Sequence, residues 1–226
     1  MIARAGHYEP VAREAYPYLV LPALLALVFW WFDHPWASLF FLLAVVAVAL
    51  FFRNPHRTPP LHEAAVLSPA DGKVMEIVPN ASSRNVQYGP LTRVSVFMSI
   101  LDVHVNRSPI SGSVKKITYH PGSFVDARET DASTQNEQNS LVLEGEVGTL
   151  EVVQVAGKIA RRISCWVSEG DELRRGDRFG MIHFGSRLDV YLPQHFSVRV
   201  GIGERVWAGV SIIAEKAEAG EPAAER

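Results

Sequence analysis

The chain has 226 residues, of which 48% are hydrophobic and 20% charged, enough for one sizeable domain with an appendage and ordinary for a folded protein. A net charge of -2, with no run of Lys/Arg interleaved with aromatics, excludes a basic nucleic-acid-binding surface, so nucleic acid is not an expected partner. The only cysteine, Cys165, excludes an internal disulfide; within the apolar run Ile163-Ser164-Cys165-Trp166-Val167 it reads as a buried strand thiol, not a nucleophile.

From Tyr18 to Phe52 the chain is almost wholly apolar, broken only by Asp33-His34-Pro35. As helices, the halves Tyr18–Phe32 and Trp36–Phe52 would extend roughly 23–26 Å each, slightly less than the roughly 30 Å hydrocarbon core of a bilayer. The pattern predicts a hydrophobic helical hairpin anchored in the cell membrane. Arg4 and Arg13 precede it, Arg53 and Arg57 follow it, and its turn carries no Lys or Arg, so the positive-inside bias puts both ends in the cytoplasm. A cleavable signal peptide fits poorly, because the segment is double, starts late and lacks a small-x-small site before the polar domain. The alternative is a buried helical hairpin of a soluble protein; Trp30, Trp31 and Trp36 near the turn suit interface anchors and core residues alike.

The polar, Pro-rich connector Arg53-Asn54-Pro55-His56-Arg57-Thr58-Pro59-Pro60 ends any helix. Residues 1–60 therefore form the anchor and connector, 61–214 a β-rich catalytic domain, and 215–226, rich in Ala, Glu and Pro, a tail expected to be disordered. Within the β-rich part, strands are predicted at Arg93–Met98, Thr149–Val155, Phe179–Phe184, Leu188–Leu192 and Phe196–Val200, separated by Gly, Pro and Asp turn signals. Two segment pairs repeat. Ser68–Ile77 and Ser108–Ile117 share S-P-x-x-G-x-V-x-x-I, and Gly170–Gly176 and Gly203–Gly209 share G-x-x-[LV]-x-x-G. Each is a turn followed by a strand, similar to the half-motifs of lipoyl and biotinyl carriers. The expected fold is mainly β: a barrel-sandwich (lipoyl/biotinyl-like) domain with internal repeats, preceded by the N-terminal helical hairpin.

Familiar catalytic patterns are missing: no G-x-S-x-G elbow, no H-E-x-x-H, no Cys/His zinc set and no phosphate-binding Gly-rich loop. What remains is the Gly185-Ser186 step between two predicted strands, Asp71 in the Pro69-Ala70-Asp71-Gly72 turn, and His104 in Asp102-Val103-His104-Val105-Asn106-Arg107-Ser108-Pro109. Taken singly, each has a plain structural explanation: a strand end, a turn residue and a hydrogen-bonded core histidine. His183 and His120 read as structural.

Together, the residues resemble a family. Phe52-Arg53-Asn54-Pro55-His56-Arg57, the Pro69–Gly72 turn, Asp102–Arg107, Val155–Ile163 and Arg175–Pro193 with its His183-Phe184-Gly185-Ser186 core follow, in order, the short-form phosphatidylserine decarboxylase proenzymes. The resemblance runs from the anchor to about Ala214. It implies that Ser186 attacks the Gly185 carbonyl, that residues 1–185 become a β chain and 186–226 an α chain, and that Ser186 becomes a pyruvoyl cofactor whose α-keto carbonyl forms a Schiff base with the serine head group. By the same resemblance, His104 is the base of self-cleavage and the acid that reprotonates the substrate carbon, with Asp71 as its orienting partner. Longer members carry a second His where Arg107 stands here; His104 is the only His in this segment. Asn136-Glu137-Gln138-Asn139 resembles the family's N-E-R segment, with Gln138 in place of Arg, which makes Asn136 and Glu137 candidates for placing substrate and Asp102 a candidate for shaping the site. No metal is implied. The implied partners are a phospholipid membrane and the chain's own α and β fragments, and the implied reaction gives phosphatidylethanolamine and CO2. A related phosphoserine lipid with ether chains would share that chemistry. A non-catalytic barrel-sandwich module is the rival of another class, although carriers need a hairpin-tip Lys that is missing between these repeats.

Overall fold

A computed structural model describes residues 8–83, 85–86, 89–129, 132–158, 162–183 and 185–216. The chain forms two compact units that divide between His56 and Arg57.

The first unit holds helices α1 (Tyr16–Trp31) and α2 (Pro35–Phe51), each with a proline in its first turn, where a missing N–H costs nothing. Asp33 turns the chain between them at φ 58°. Phe29 stacks on Phe41 at 5.5 Å, and Ser38 Oγ donates to Ala26 O at 2.9 Å, so the helices pair as the expected hairpin. Their outward residues are themselves apolar: Leu21, Leu27, Phe40, Leu43, Trp31 and Trp36 all have more than half their surface exposed. A helix hydrophobic all round belongs in a core or in lipid, not in water. The stretch Arg13–Trp31 is long and apolar enough to cross a membrane, whereas α2 is shorter.

The second unit is built of strands. In chain order they are β1 (Ala65–Leu67), β2 (Gly72–Ala81), β3 (Leu91–Met98), β4 (Val105–Arg107), β5 (Gly112–His120), β6 (Gln138–Gly145) and β7 (Gly148–Val155). Then follow β8 (Ile163–Cys165), β9 (Glu172–Leu173), β10 (Arg178–Ile182), β11 (Ser186–Pro193), β12 (Phe196–Val198), β13 (Arg205–Val206) and β14 (Ile212–Lys216). A one-turn helix, α3 (Ala132–Gln135), precedes β6. An eight-stranded antiparallel sheet, ordered β13-β2-β3-β11-β7-β6-β5-β9, curls into a half-barrel, and the three-stranded sheets β1-β14-β12 and β4-β10-β8 complete the unit. The mainly β expectation holds.

Alternation explains which side chains meet. Val94 and Val96 of β3, Leu188, Val190 and Leu192 of β11, and Leu150 and Val152 of β7 point into one core, which Phe179 of β10 also enters. Their odd-numbered neighbours on β11, Arg187 and Asp189, lie on the other face and are also buried.

The two similar segment pairs share local bonds. Ser68 Oγ donates to Ala70 O, and Ser108 Oγ to Ile110 O, each at 2.7 Å; Gly209 N donates to Ser68 O, and Gly176 N to Ser108 O, each at 2.8 Å. Two expectations change. Cys165 is exposed, because β8 is the edge of a three-stranded sheet and the thiol points outward, its Sγ 3.5 Å from Val167 O. Glu215 and Lys216 belong to β14, where they pair with Ala65 and with β12; the rest of the expected disordered tail, 217–226, lies outside the described residues.

Candidate active site

Ser186 opens β11 at the centre of the large sheet, paired with Met98 of β3 and fully buried. Its parity matches Leu188 and Val190, so the hydroxyl points to the interior, and its Oγ has no hydrogen-bond partner among the described residues. A buried hydroxyl left unpaired is costly, and such exceptions concentrate at sites with work to do.

Gly185 has φ +50°, the left-handed region where a side chain is strained. Space is not the reason for a glycine here, since a Cβ at 185 would meet nothing within 4 Å. The tight contact lies on its other side: a Cβ on Gly157 would fall 1.8 Å from the Gly185 carbonyl oxygen. Gly157 thus lets the end of β7 lie directly against the carbonyl that precedes Ser186.

His104 is fully buried, just before β4. Its Nδ1 lies 2.9 Å from Asp102 O. A carbonyl only accepts, so Nδ1 carries the proton and, in the neutral ring, Nε2 carries the lone pair. Ile182 N donates to His104 O at 3.3 Å, and β10 leads from there to Ser186 within four residues. Asp102 itself closes a turn: its Oδ2 accepts from Ser99 N at 2.8 Å and Ser99 Oγ at 2.6 Å, and its Oδ1 pairs with Arg205. Burial works to raise the Asp102 pKa, but the Ser99 hydrogen bonds and the Arg205 charge outweigh it and hold the carboxyl below its ordinary value.

Asp71 lies in the turn that leads into β2. Its carboxylate is engaged by both terminal nitrogens of Arg57, Nη2 at 2.7 Å from Oδ2, and by Ala208 N at 2.8 Å, while Arg57 Nη1 also donates to Ala208 O at 2.9 Å. The Asp71 carboxylate thus joins Arg57 of the connector to the Ala208 backbone, while His104 Nδ1 meets the Asp102 carbonyl. Close by lies Arg107, buried with its Nη1 donating to Gly176 O at 3.1 Å; burial and the charges of Arg178 and Arg57 push its pKa down to about 10.

Asn136 acts as a clamp. Its side chain accepts from Val125 N and donates to Val125 O, both at 2.9 Å, and donates to Ala156 O at 2.8 Å. Glu137 contributes backbone, receiving Ala156 N at 3.0 Å. Both therefore hold the strand end that leads to Gly157. Ser164 Oγ lies 3.1 Å from His183 Nε2.

A buried polar chain accompanies the site: Asn139 donates to Gln154 at 3.0 Å, Gln154 to Asn106 at 2.8 Å, and Asn106 contacts Met98 Sδ at 3.8 Å. Sequence reading passed over it. The available signal was Gln154, a polar residue that shares the core-facing parity of Leu150 and Val152 on β7.

The sequence model described as phosphatidylserine decarboxylase matches residues 46–214. The chain is also 46% identical over 211 residues to a phosphatidylserine decarboxylase proenzyme of Geobacter sulfurreducens, a match that covers 90% of this chain and 95% of that relative. With a matched segment that takes in the anchor's end, Asp71, His104 and the Gly185-Ser186 step, the chain belongs to the phosphatidylserine decarboxylase family.

Proposed function

We propose that this chain cleaves itself between Gly185 and Ser186 and then decarboxylates phosphatidylserine at the cytoplasmic face of the cell membrane. The observation that carries the reading is the buried Ser186 hydroxyl, without a hydrogen-bond partner among the described residues, that follows a left-handed Gly185 at the head of a central strand. Family membership supplies the substrate, and α1 and α2 supply attachment to its bilayer.

The cleavage step uses the chain's own atoms. Ser186 Oγ attacks the Gly185 carbonyl carbon, the C–N bond breaks as the C–O bond forms, and the hydroxyl proton passes by way of His104 Nε2 to the departing amine. Removal of the Ser186 Cα proton then expels the Gly185 carboxylate, leaving an enamine that water converts to a ketone with loss of ammonia. Gly157 holds the reacting carbonyl against the end of β7, and Asp102 O keeps His104 in the tautomer whose Nε2 accepts a proton. Asp71 enters as a positioning residue that ties Arg57 of the connector to Ala208. Asn136 and Glu137 support the strand end at Ala156, and Asp102 holds the turn beside His104.

The site suits a pyruvoyl group derived from Ser186: the ketone has no hydroxyl donor, so conversion removes the buried O–H that finds no acceptor among the described residues. Such a carbonyl supplies an electron sink for the pair left behind when CO2 departs. His104 is the residue proposed to return a proton to the substrate carbon.

Intact-mass analysis tests the reading. Active protein should resolve into fragments 1–185 and 186–226, the second bearing a carbonyl-reactive terminus, and should release CO2 from phosphatidylserine. Ser186→Ala should keep full mass and lose all activity. A full-length, carbonyl-free chain that still decarboxylates would overturn it.

A further inference from the structure

Two tight turns beside the site carry aliphatic side chains at their tips. In Ser99–Asp102, Asp102 N donates to Ser99 O at 2.9 Å, and the middle residues Ile100 and Leu101 are 50% and 82% exposed. In Gly201–Glu204, Glu204 N donates to Gly201 O at 3.1 Å, Gly201 N donates to Glu204 Oε2 at 2.9 Å, and Ile202 is 68% exposed. The turns are joined. Arg205, next after the second, pairs with Asp102, the last residue of the first, and the exposed Lys73 faces Arg205 across the β2–β13 ladder.

Scattered exposed aliphatics are ordinary on a protein surface. Here three of them crown two hydrogen-bonded turns locked to each other, with two cations at their base, the layout of a surface that meets an amphipathic partner. We propose that these turns form a docking edge for an anionic lipid surface: Ile100, Leu101 and Ile202 enter the interfacial layer while Lys73 and Arg205 sit at headgroup level. A second copy of the chain is the poorer occupant, since three aliphatic tips on two short turns fall far short of the roughly 20–30 residues a side that a stable protein interface needs. The first turn ends at the residue whose carbonyl holds His104, so docking would set the proposed site beside the bilayer. Only the choice of lipid rests on the function proposed above.

The test uses the full chain in phosphatidylserine-containing vesicles, with Cys165→Ser as background and single cysteines at Leu101, Ile202 or, as control, Tyr119 of β5, each carrying an environment-sensitive fluorophore. Labels at 101 and 202 should shift to the blue and be quenched by nitroxide lipids, while the label at 119 should do neither. The double variant Leu101→Asp/Ile202→Asp should raise the vesicle phosphatidylserine concentration needed for half-maximal rate by about tenfold or more. Its self-cleavage and its rate on a monomeric short-chain phosphatidylserine should match the parent. Labels at 101 and 202 that ignore the nitroxides in cleaved protein would overturn the proposal, as would a double variant unimpaired on vesicles. Self-quenching between labelled copies without nitroxide quenching would assign the tips to a second copy and equally overturn it. A parent chain that docks but never decarboxylates would instead count against the functional reading alone.

Discussion

At Gly185 and Gly157 two glycines serve one carbonyl by different means. Gly185 is required by its backbone, and alanine there would cost about 1–2 kcal/mol of left-handed strain with nothing to collide with. Gly157 is required by space, because its Cβ would overlap the Gly185 oxygen, a backbone atom that moves only if the whole step moves. Gly157→Ala should therefore slow self-cleavage by more than tenfold, a displacement of reacting atoms being enough for that, and more than Gly185→Ala does; time courses of fragment appearance compare the two. Equal rates for parent and Gly157→Ala would show that the contact has no part in positioning the bond.

The element that carries the serine also carries a buried ion pair. On β11, Arg187 Nη2 donates to Asp189 Oδ2 at 2.9 Å, and Nε approaches Oδ1 at 2.9 Å as a charge contact, with both side chains within 1% of full burial. Removing one partner strands the other charge. In the uncleaved Ser186→Ala background, Asp189→Ala should lose about 3–5 kcal/mol in urea unfolding, and the pair of changes Arg187→Met with Asp189→Leu should recover part of it. Elements of this kind show how far the sequence could be read. The hairpin was legible because one polar break, Asp33-His34-Pro35, interrupts a long apolar run, and β3, β7 and β11 because their apolar residues alternate or cluster between turn signals. β6 was not, since its first residues, Gln138 and Asn139, are polar and yet buried, Asn139 against Gln154 across the ladder. The Gly185-Ser186 step and His104 stand out in the sequence only through family order. The partners of Asp71 were invisible: Arg57 and Ala208 lie 14 and 137 residues away in the chain, and only the folded sheet brings them to one carboxylate.

For the whole molecule, the proposed cut falls where it removes no strand. β11 is paired with β3 along eight residues and with β7 along five, β13 pairs with β2, and β14 pairs with β1 in a separate three-stranded sheet, so the described strands of the fragment 186–226 are bonded to the other fragment in two sheets. The two fragments should therefore co-purify in native conditions and part only in denaturant, which size exclusion with and without urea would show; a free 186–226 peptide without denaturant would contradict this packing. The same placement has a consequence for supply. Because Ser186 is embedded in a central strand, the catalytic group proposed to come from it would be made once, from the chain itself, and could not be exchanged or reloaded as a diffusible coenzyme can. Chemical damage to it would retire the entire polypeptide, and only newly synthesised chains could restore the capacity to make the lipid.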